Sequence, residues 1–227
     1  MNLIHWEFFV QYSLYLYVNE IVMTIQTQAF VPPLKLSRPV RRYTLEQFLE
    51  KEAKSLHKHE FIDGQIFKMP YAKGPHNIIS VNMMTEMNLN LRKLEKNYIV
   101  FPSDQMVYFP SLDEGVYADA LAVCEKPLYW DDNQLLLINP IIVVEVLSKS
   151  TGKYDRTGKF DKYKTLESIR EYVLIRQDEC YAEVWYRESP GRWQETIITD
   201  LSQNIDLQSV GISISMQWIY NNVDLKK

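Results

Sequence analysis

Two acids stand where acids are costly. In INPIIVVEVLSKST, Glu145 interrupts an apolar run that reads as a buried strand, and in VYADALAVC, Asp119 interrupts another. An ionised carboxylate taken out of water must find a partner or lose its charge. Side chains alternate across a strand, so Val143, Glu145 and Leu147 share one face while Val144, Val146 and Ser148 share the other. The connection EKPLYWDDNQLLL is long enough to return the chain and lay the two strands side by side, which would let Asp119 and Glu145 face each other. Two carboxylates a few ångström apart do not both stay ionised without a cation. A divalent metal resolves the conflict: Mg²⁺ takes one or two carboxylates and completes its shell with water and phosphate oxygens. The alternative is that each acid pairs with a buried Arg or Lys, or caps a loop.

A basic segment follows Glu145. KSTGKYDRTGKFDKYK carries Lys149, Lys153, Arg156, Lys159, Lys162 and Lys164 against Asp155 and Asp161. On an α-helix Asp155, Lys159 and Tyr163 share a face, with Lys159 able to pair with Asp155. Such a helix is either an ordinary solvated face or a phosphate-binding one that sets Lys159 beside the metal, where an ammonium orients an attacking water or stabilises charge on phosphorus. Glu60, in KHEFIDG, reads as an exposed strand-end residue; His76, at the start of a long helix, reads as structural or as a phosphate contact and proton carrier.

These residues need elements to hold them. TLEQFLEKEAK reads as a helix with Thr44 as N-cap, Gln47 closing a capping box, and Leu45, Phe48 and Leu49 as its apolar stripe. EFIDGQIFKM reads as a hairpin turning at Asp63-Gly64. Gly74-Pro75 opens a longer helix with a stripe of Ile78, Val81, Met84, Met87, Leu91 and Leu94. Strands are expected at YIVFP, QMVYF, VYADALAVC and NPIIVVEVLS, then a helix over Tyr154 to Leu166, then strands at EYVLI, YAEVWYR and RWQETIIT. The order predicts one α/β (α+β) domain over residues 41–227, a mixed and mostly antiparallel sheet flanked by helices, with residues 1–40 as a peripheral segment and arm. No Gly-rich turn follows the first strand, which excludes a dinucleotide-binding fold.

A chain of 227 residues with a formal net charge of −4 is not a polyanion trap as a whole, so contact with nucleic acid requires a local basic patch. Cys124 and Cys180 show no metal-ligand spacing and read as buried, reduced thiols of a cytoplasmic protein. Residues 1–22 are aromatic-rich but lack the basic start and cleavage site of a signal peptide, and their apolar stretch is too short to span a membrane. Met23 opens a more usual soluble N-terminus, so residues 1–22 read as a product of start-codon choice.

The series RRYTLEQFLE, HEFIDGQIFKMP, GPHNIIS, VYADALAV, IIVVEVLSKST, DRTGKFDKY and REYVLI resembles, in order and spacing, the Uma-two family of small endonucleases of the restriction-endonuclease-like PD-(D/E)xK superfamily. The resemblance runs from about Arg41 to Tyr186. It implies a restriction-endonuclease-like core and Mg²⁺-dependent, or Mn²⁺-dependent, hydrolysis of DNA. The family's Pro-Asp falls on Ala118-Asp119 and its strand glutamate on Glu145; the superfamily's lysine two residues further falls on Leu147, and the family's helix lysine on Lys159. Glu60 and His76 match the glutamate before the hairpin and the helix-start histidine. The implied site is therefore Asp119, Glu145 and Glu60 as metal ligands with Lys159 as the catalytic cation. His76, Lys149, Lys153, Arg156 and Lys162 would contact the nucleic acid, helped by Arg38, Arg41 and Arg42. A homodimer is compatible with this reading. The rival expectations are a catalytically inactive nucleic-acid-binding module and a protein-interaction module on the same fold.

Overall fold

A computed structural model describes residues 41–149 and 151–225. The stretch of residues 1–22, the proline-containing arm and Arg38 lie outside the described residues.

The first helix, α1 (Leu45–Glu52), carries the expected capping box: the Thr44 side chain accepts from the Gln47 N–H, and the Gln47 side chain accepts from the Thr44 N–H. Phe48 is its buried anchor, stacked on Phe61 at 5.1 Å between ring centres. Strands β1 (His59–Ile62) and β2 (Gln65–Lys68) form the hairpin. Its two turn residues, Asp63 and Gly64, both have positive φ, 51° and 67°, as a type I′ turn requires. Helix α2 (Gly74–Leu91) follows. Strands β3 (Tyr98–Pro102), β4 (Met106–Phe109), β5 (Glu114–Tyr117), β6 (Ala120–Cys124), β7 (Leu136–Leu137) and β8 (Ile142–Leu147) come next. The helical segment is α3 (Gly152–Tyr154), a π-helical turn (Asp155–Lys159) and α4 (Phe160–Lys164). After it come β9 (Glu171–Arg176), β10 (Ala182–Ser189), β11 (Arg192–Ile198), β12 (Asn204–Leu207), β13 (Ile212–Ser215) and the short α5 (Met216–Ile219).

The strands form two larger sheets and a hairpin of β12 with β13. One sheet has the order β11-β10-β9-β8-β6-β3, antiparallel except for β8 with β9; the other runs β2-β1-β5-β4-β7, antiparallel except for β4 with β7. The result is a mixed, mostly antiparallel α+β fold flanked by helices. The alternation expected in β8 holds: Val144 and Val146 pack with α2, and Val143 and Leu147 pack with Phe160 and Tyr163 on the opposite face. Glu145 belongs to that second face.

Four expectations are corrected. VYADALAVC is not one strand, because the chain breaks at Ala118-Asp119 and its halves join different sheets. The buried stripe of α2 is Ile79, Met83, Met87 and Leu91: Met87 and Leu91 are as expected, Met84 and Leu94 are only partly buried, and Val81 is exposed. The observed spacing is four throughout, and the packing partner decides between this stripe and one that mixes three and four. The helix over Tyr154–Leu166 carries a π turn, where the Tyr172 hydroxyl donates to the Asp155 carbonyl at 2.9 Å, the acceptor that the Lys159 N–H would use in a regular α-helix. Cys124 and Cys180 are half-buried rather than buried, and neither forms a disulfide. Among the described residues no helix is long and apolar enough to cross a membrane.

Glu171, at the start of β9, is fully buried and accepts from the Ser209 hydroxyl at 2.7 Å and the Ser209 N–H at 3.3 Å. Burial raises its pKa above the ordinary carboxylate value against the opposing pull of these hydrogen bonds. A carboxyl raised in the folded state contributes stability that is complete below the unfolded pKa and is lost as pH climbs through the folded one. Glu171→Gln removes that loss. Its melting temperature should exceed the wild type's at pH 8, with the advantage shrinking as the pH is lowered to 4.

Candidate active site

The break between β5 and β6 makes the site. Asp119 is the first residue past it, and its N–H donates to the Val144 carbonyl at 3.1 Å, so Asp119 lies beside Glu145 across the β6–β8 pairing. One oxygen of Asp119 accepts from the Val146 N–H at 2.7 Å and the other meets His76 Nε2 at 2.9 Å. On the other side of the break, the Tyr117 N–H donates to Glu60 Oε1 at 3.4 Å and the Tyr117 carbonyl accepts from Lys159 Nζ at 2.7 Å. The backbone groups freed from strand pairing are thus taken up by the side chains of the site.

Lys159 enters from the π turn. Its ammonium is buried, 2.9 Å from Glu145 Oε1 and 3.6 Å from Glu60 Oε1. The Asp155 pair that α-helical spacing allows does not form: the turn is π-helical, and the ion pairs of Lys159 are with Glu145 and Glu60. Leu147, two residues beyond Glu145, packs instead with Phe160 and Tyr163. Burial by itself works to lower the Lys159 pKa, but Glu145 and Glu60 outweigh it and hold the amine charged. Burial pushes the Glu145 carboxyl up, opposed by Lys159 and reinforced by Asp119 and Asp155. Asp155, also buried, is raised by burial against the pull of Lys159.

Asp119, Glu145, Lys159, Glu60 and His76 all line one cleft of about 1020 Å³. Of the expected nucleic-acid contacts, Lys149 is exposed on its rim, and Lys153 is exposed but outside its lining. Two are held in ion pairs within the protein: Arg156, itself exposed, with the buried Glu183 carboxylate at 2.7 Å, and Lys162 with Glu114 in a largely buried pair. Arg42 holds Asp63 of the hairpin turn through two hydrogen bonds, and Arg41 lies over the Tyr43 ring. Three further lysines line the cleft, Lys58, Lys68 and Lys73, and come from the β1–β2 hairpin and its flanks. Their sequence context gave no charge run to mark them.

The donor set can be tested for a metal. Among the described residues no group of three or more His, Cys, Asp or Glu side chains is gathered to hold an ion by itself. Glu60 stands on the Lys159 side, so the three expected ligands do not form a closed protein cage. What the cleft offers is an acid pair on adjacent strands, with Glu145 Oε1 buried and lacking an aligned hydrogen bond although the Lys159 charge is near. Glu60 and Glu145 flank Lys159 within ion-pair distance, and Asp119 and Asp155 line the same cleft. That set fits a hard cation taking one or two carboxylates and otherwise water or phosphate oxygens, and does not fit zinc.

Comparison with known proteins identifies the family and the fold. Two uncharacterized proteins of Synechocystis sp., sll1609 and slr1290, are similar along most of their length: 29% identical over 166 residues (73% of this chain, 91% of the relative) and 28% over 187 residues (82% and 96%). The fold matches the crystal structure of "a putative nuclease belonging to DUF820" from Anabaena variabilis with a TM-score of 0.61 at 19% identity, covering 78% of this chain and 97% of that one. Residues 45–217, which contain every side chain of the cleft just described except Asp224, match the model of the Uma2 family, described as "Putative restriction endonuclease". The chain belongs to the Uma2 family and has its nuclease-like fold.

Proposed function

We propose that this chain hydrolyses phosphodiester bonds of DNA with the help of Mg²⁺ or Mn²⁺. The observation that carries this reading is the Lys159 ammonium, buried 2.9 Å from Glu145 Oε1 in the same cleft as Asp119. A lysine held beside an acid pair on neighbouring strands is what phosphoryl transfer needs: ligands for a cation, and a fixed positive charge where negative charge develops.

Asp119 and Glu145 would hold the metal, with Glu60 reaching it directly or through water. When bound, the metal lowers the pKa of a coordinated water and shields the charge on the scissile phosphate. Lys159 donates to the attacking water or to a phosphate oxygen, and its hydrogen bond to the Tyr117 carbonyl fixes the direction of its amine. His76 and the Val146 N–H hold the two Asp119 oxygens in place, so the carboxylate is oriented before substrate arrives. Lys149 on the rim contacts the phosphate backbone, which orients the strand without reading its sequence.

One observation favours a second reading, a nucleic-acid-binding module without chemistry: the Lys159–Glu145 pair is already satisfied as an ion pair. Incubation of supercoiled plasmid and of linear oligonucleotides with purified protein, in Mg²⁺, in Mn²⁺ and in EDTA, separates the two. Nicking or cutting that depends on the metal supports the nuclease. Binding without cleavage in either metal supports the inactive module.

A further inference from the structure

One wall of the cleft carries aromatic rings that nothing covers. Phe67 is paired directly with Glu60 across the β1–β2 hairpin, so the two side chains stand on the same face, and Glu60 is one of the two carboxylates beside Lys159. Phe67 is 46% exposed and lines the cleft. Tyr71, a few residues on, is 82% exposed and lines it too. The Tyr71 ring is not loose: its hydroxyl meets His57 Nδ1 at 3.1 Å, and the imidazole lies edge-on to it with ring centres 6.0 Å apart. Lys68 and Lys73, both exposed, alternate with these rings in sequence and also line the cleft.

An isolated exposed ring is ordinary. Two rings interleaved with lysines, one of them a single cross-strand step from a carboxylate of the site, form a surface with a definite preference. In a continuous duplex both faces of every base are covered by its neighbours, and a ring has nothing to stack on. In an unpaired strand the faces are free and the backbone bends, so aromatic side chains take bases while lysines take the phosphates between them.

We propose that the substrate is DNA whose bases next to the scissile phosphate are unpaired, a single strand, a flap or a gap, with Phe67 and Tyr71 stacking successive bases and Lys68 and Lys73 holding the intervening phosphates. This rests on the reading of Asp119, Glu145 and Lys159 as a DNA-cleaving site. It places base contact on the hairpin rather than on the basic helix.

The test is fluorescence anisotropy with a labelled single strand of about 12 nucleotides and with its blunt duplex, in Ca²⁺ to suppress turnover, followed by cleavage of the same molecules in Mg²⁺ and Mn²⁺. The wild type should bind the single strand at least about 10-fold more tightly than the duplex, and Phe67→Ala/Tyr71→Ala should weaken single-strand binding by about 10- to 100-fold, since stacking contributes on the order of one factor of ten per base. Phe67→Leu, which keeps apolar bulk and loses the ring, should fall in between, and all three proteins should melt alike because the altered side chains are exposed. Equal or tighter binding of the duplex, or a double variant that binds the single strand as the wild type does, overturns the proposal. Selective single-strand binding that the double variant loses, without cleavage in either metal, upholds this surface and sinks the nuclease reading alone.

Discussion

Lys159→Met should abolish cleavage and lower stability together, and the two effects should come apart in a second variant. Among the described residues Lys159 is the only lysine or arginine within ion-pair distance of Glu145, which is 3% exposed on a strand whose neighbours are Val144 and Val146. Removing the ammonium strands a buried carboxylate, a class of change that costs about 3–5 kcal/mol. It also deletes the fixed cation proposed to stabilise the transition state, with an expected loss of about 100- to 1000-fold in rate. In Glu145→Gln/Lys159→Met neither charge remains, so most of the stability should return while cleavage stays absent. Urea melts of the two variants, read beside plasmid nicking in Mg²⁺, check both halves. A Lys159→Met protein that is destabilised yet cuts at the wild-type rate would make Lys159 a purely structural counter-ion.

Asp119→Asn should lose activity without losing the fold. The Asn carbonyl oxygen can still accept from the Val146 N–H, and its amide can still donate to His76 Nε2, so the two hydrogen bonds that fix Asp119 survive in altered form. What disappears is one negative charge among several neighbouring acids, whose mutual repulsion otherwise opposes folding in the absence of a cation. The variant should therefore melt at or above the wild-type temperature without metal, and cleave at least about 100-fold more slowly with it. Millimolar Mg²⁺ should raise the wild-type melting temperature, because a ligand that binds only the folded state stabilises it, and should leave Asp119→Asn nearly unmoved. Equal stabilisation of both proteins by Mg²⁺ would place the metal elsewhere.

The parts of this site legible in the sequence were those that break a local pattern. Asp119 and Glu145 each interrupt an apolar run, Thr44 and Gln47 sit at capping-box spacing, and Asp63-Gly64 turns a hairpin by its own backbone preference. Each signal lies within a few residues of chain. What escaped is set by distant residues. The π turn depends on a hydroxyl from Tyr172, seventeen positions beyond Asp155, and without it Lys159 would be drawn as the partner of Asp155. The basic run from Lys149 to Lys164 looked like one surface, yet Arg156 and Lys162 are claimed by Glu183 and Glu114, which lie far along the chain in both directions. In the other direction, nothing in the sequence around Phe67 and Tyr71 marks them, because exposure is a property of the folded surface.

The chemistry is likewise divided between what a strand pattern can suggest and what only the fold supplies. Leu147 cannot serve as a cation, and a sequence that lacks a lysine there is compatible with a site that has lost its chemistry. The fold supplies the cation from the helical segment, and the Tyr117 carbonyl, freed by the break between β5 and β6, fixes where it points. That break is therefore as much a part of the proposed site as the side chains themselves.

The most direct test of the metal site is an anomalous difference map from crystals of the protein soaked in Mn²⁺. The account predicts a single strong peak within coordination distance of both Asp119 and Glu145, with the Lys159 amine drawn away from Glu145 Oε1 but still inside the cleft. A cleft without a peak at saturating Mn²⁺, with the Lys159–Glu145 pair intact, would contradict it.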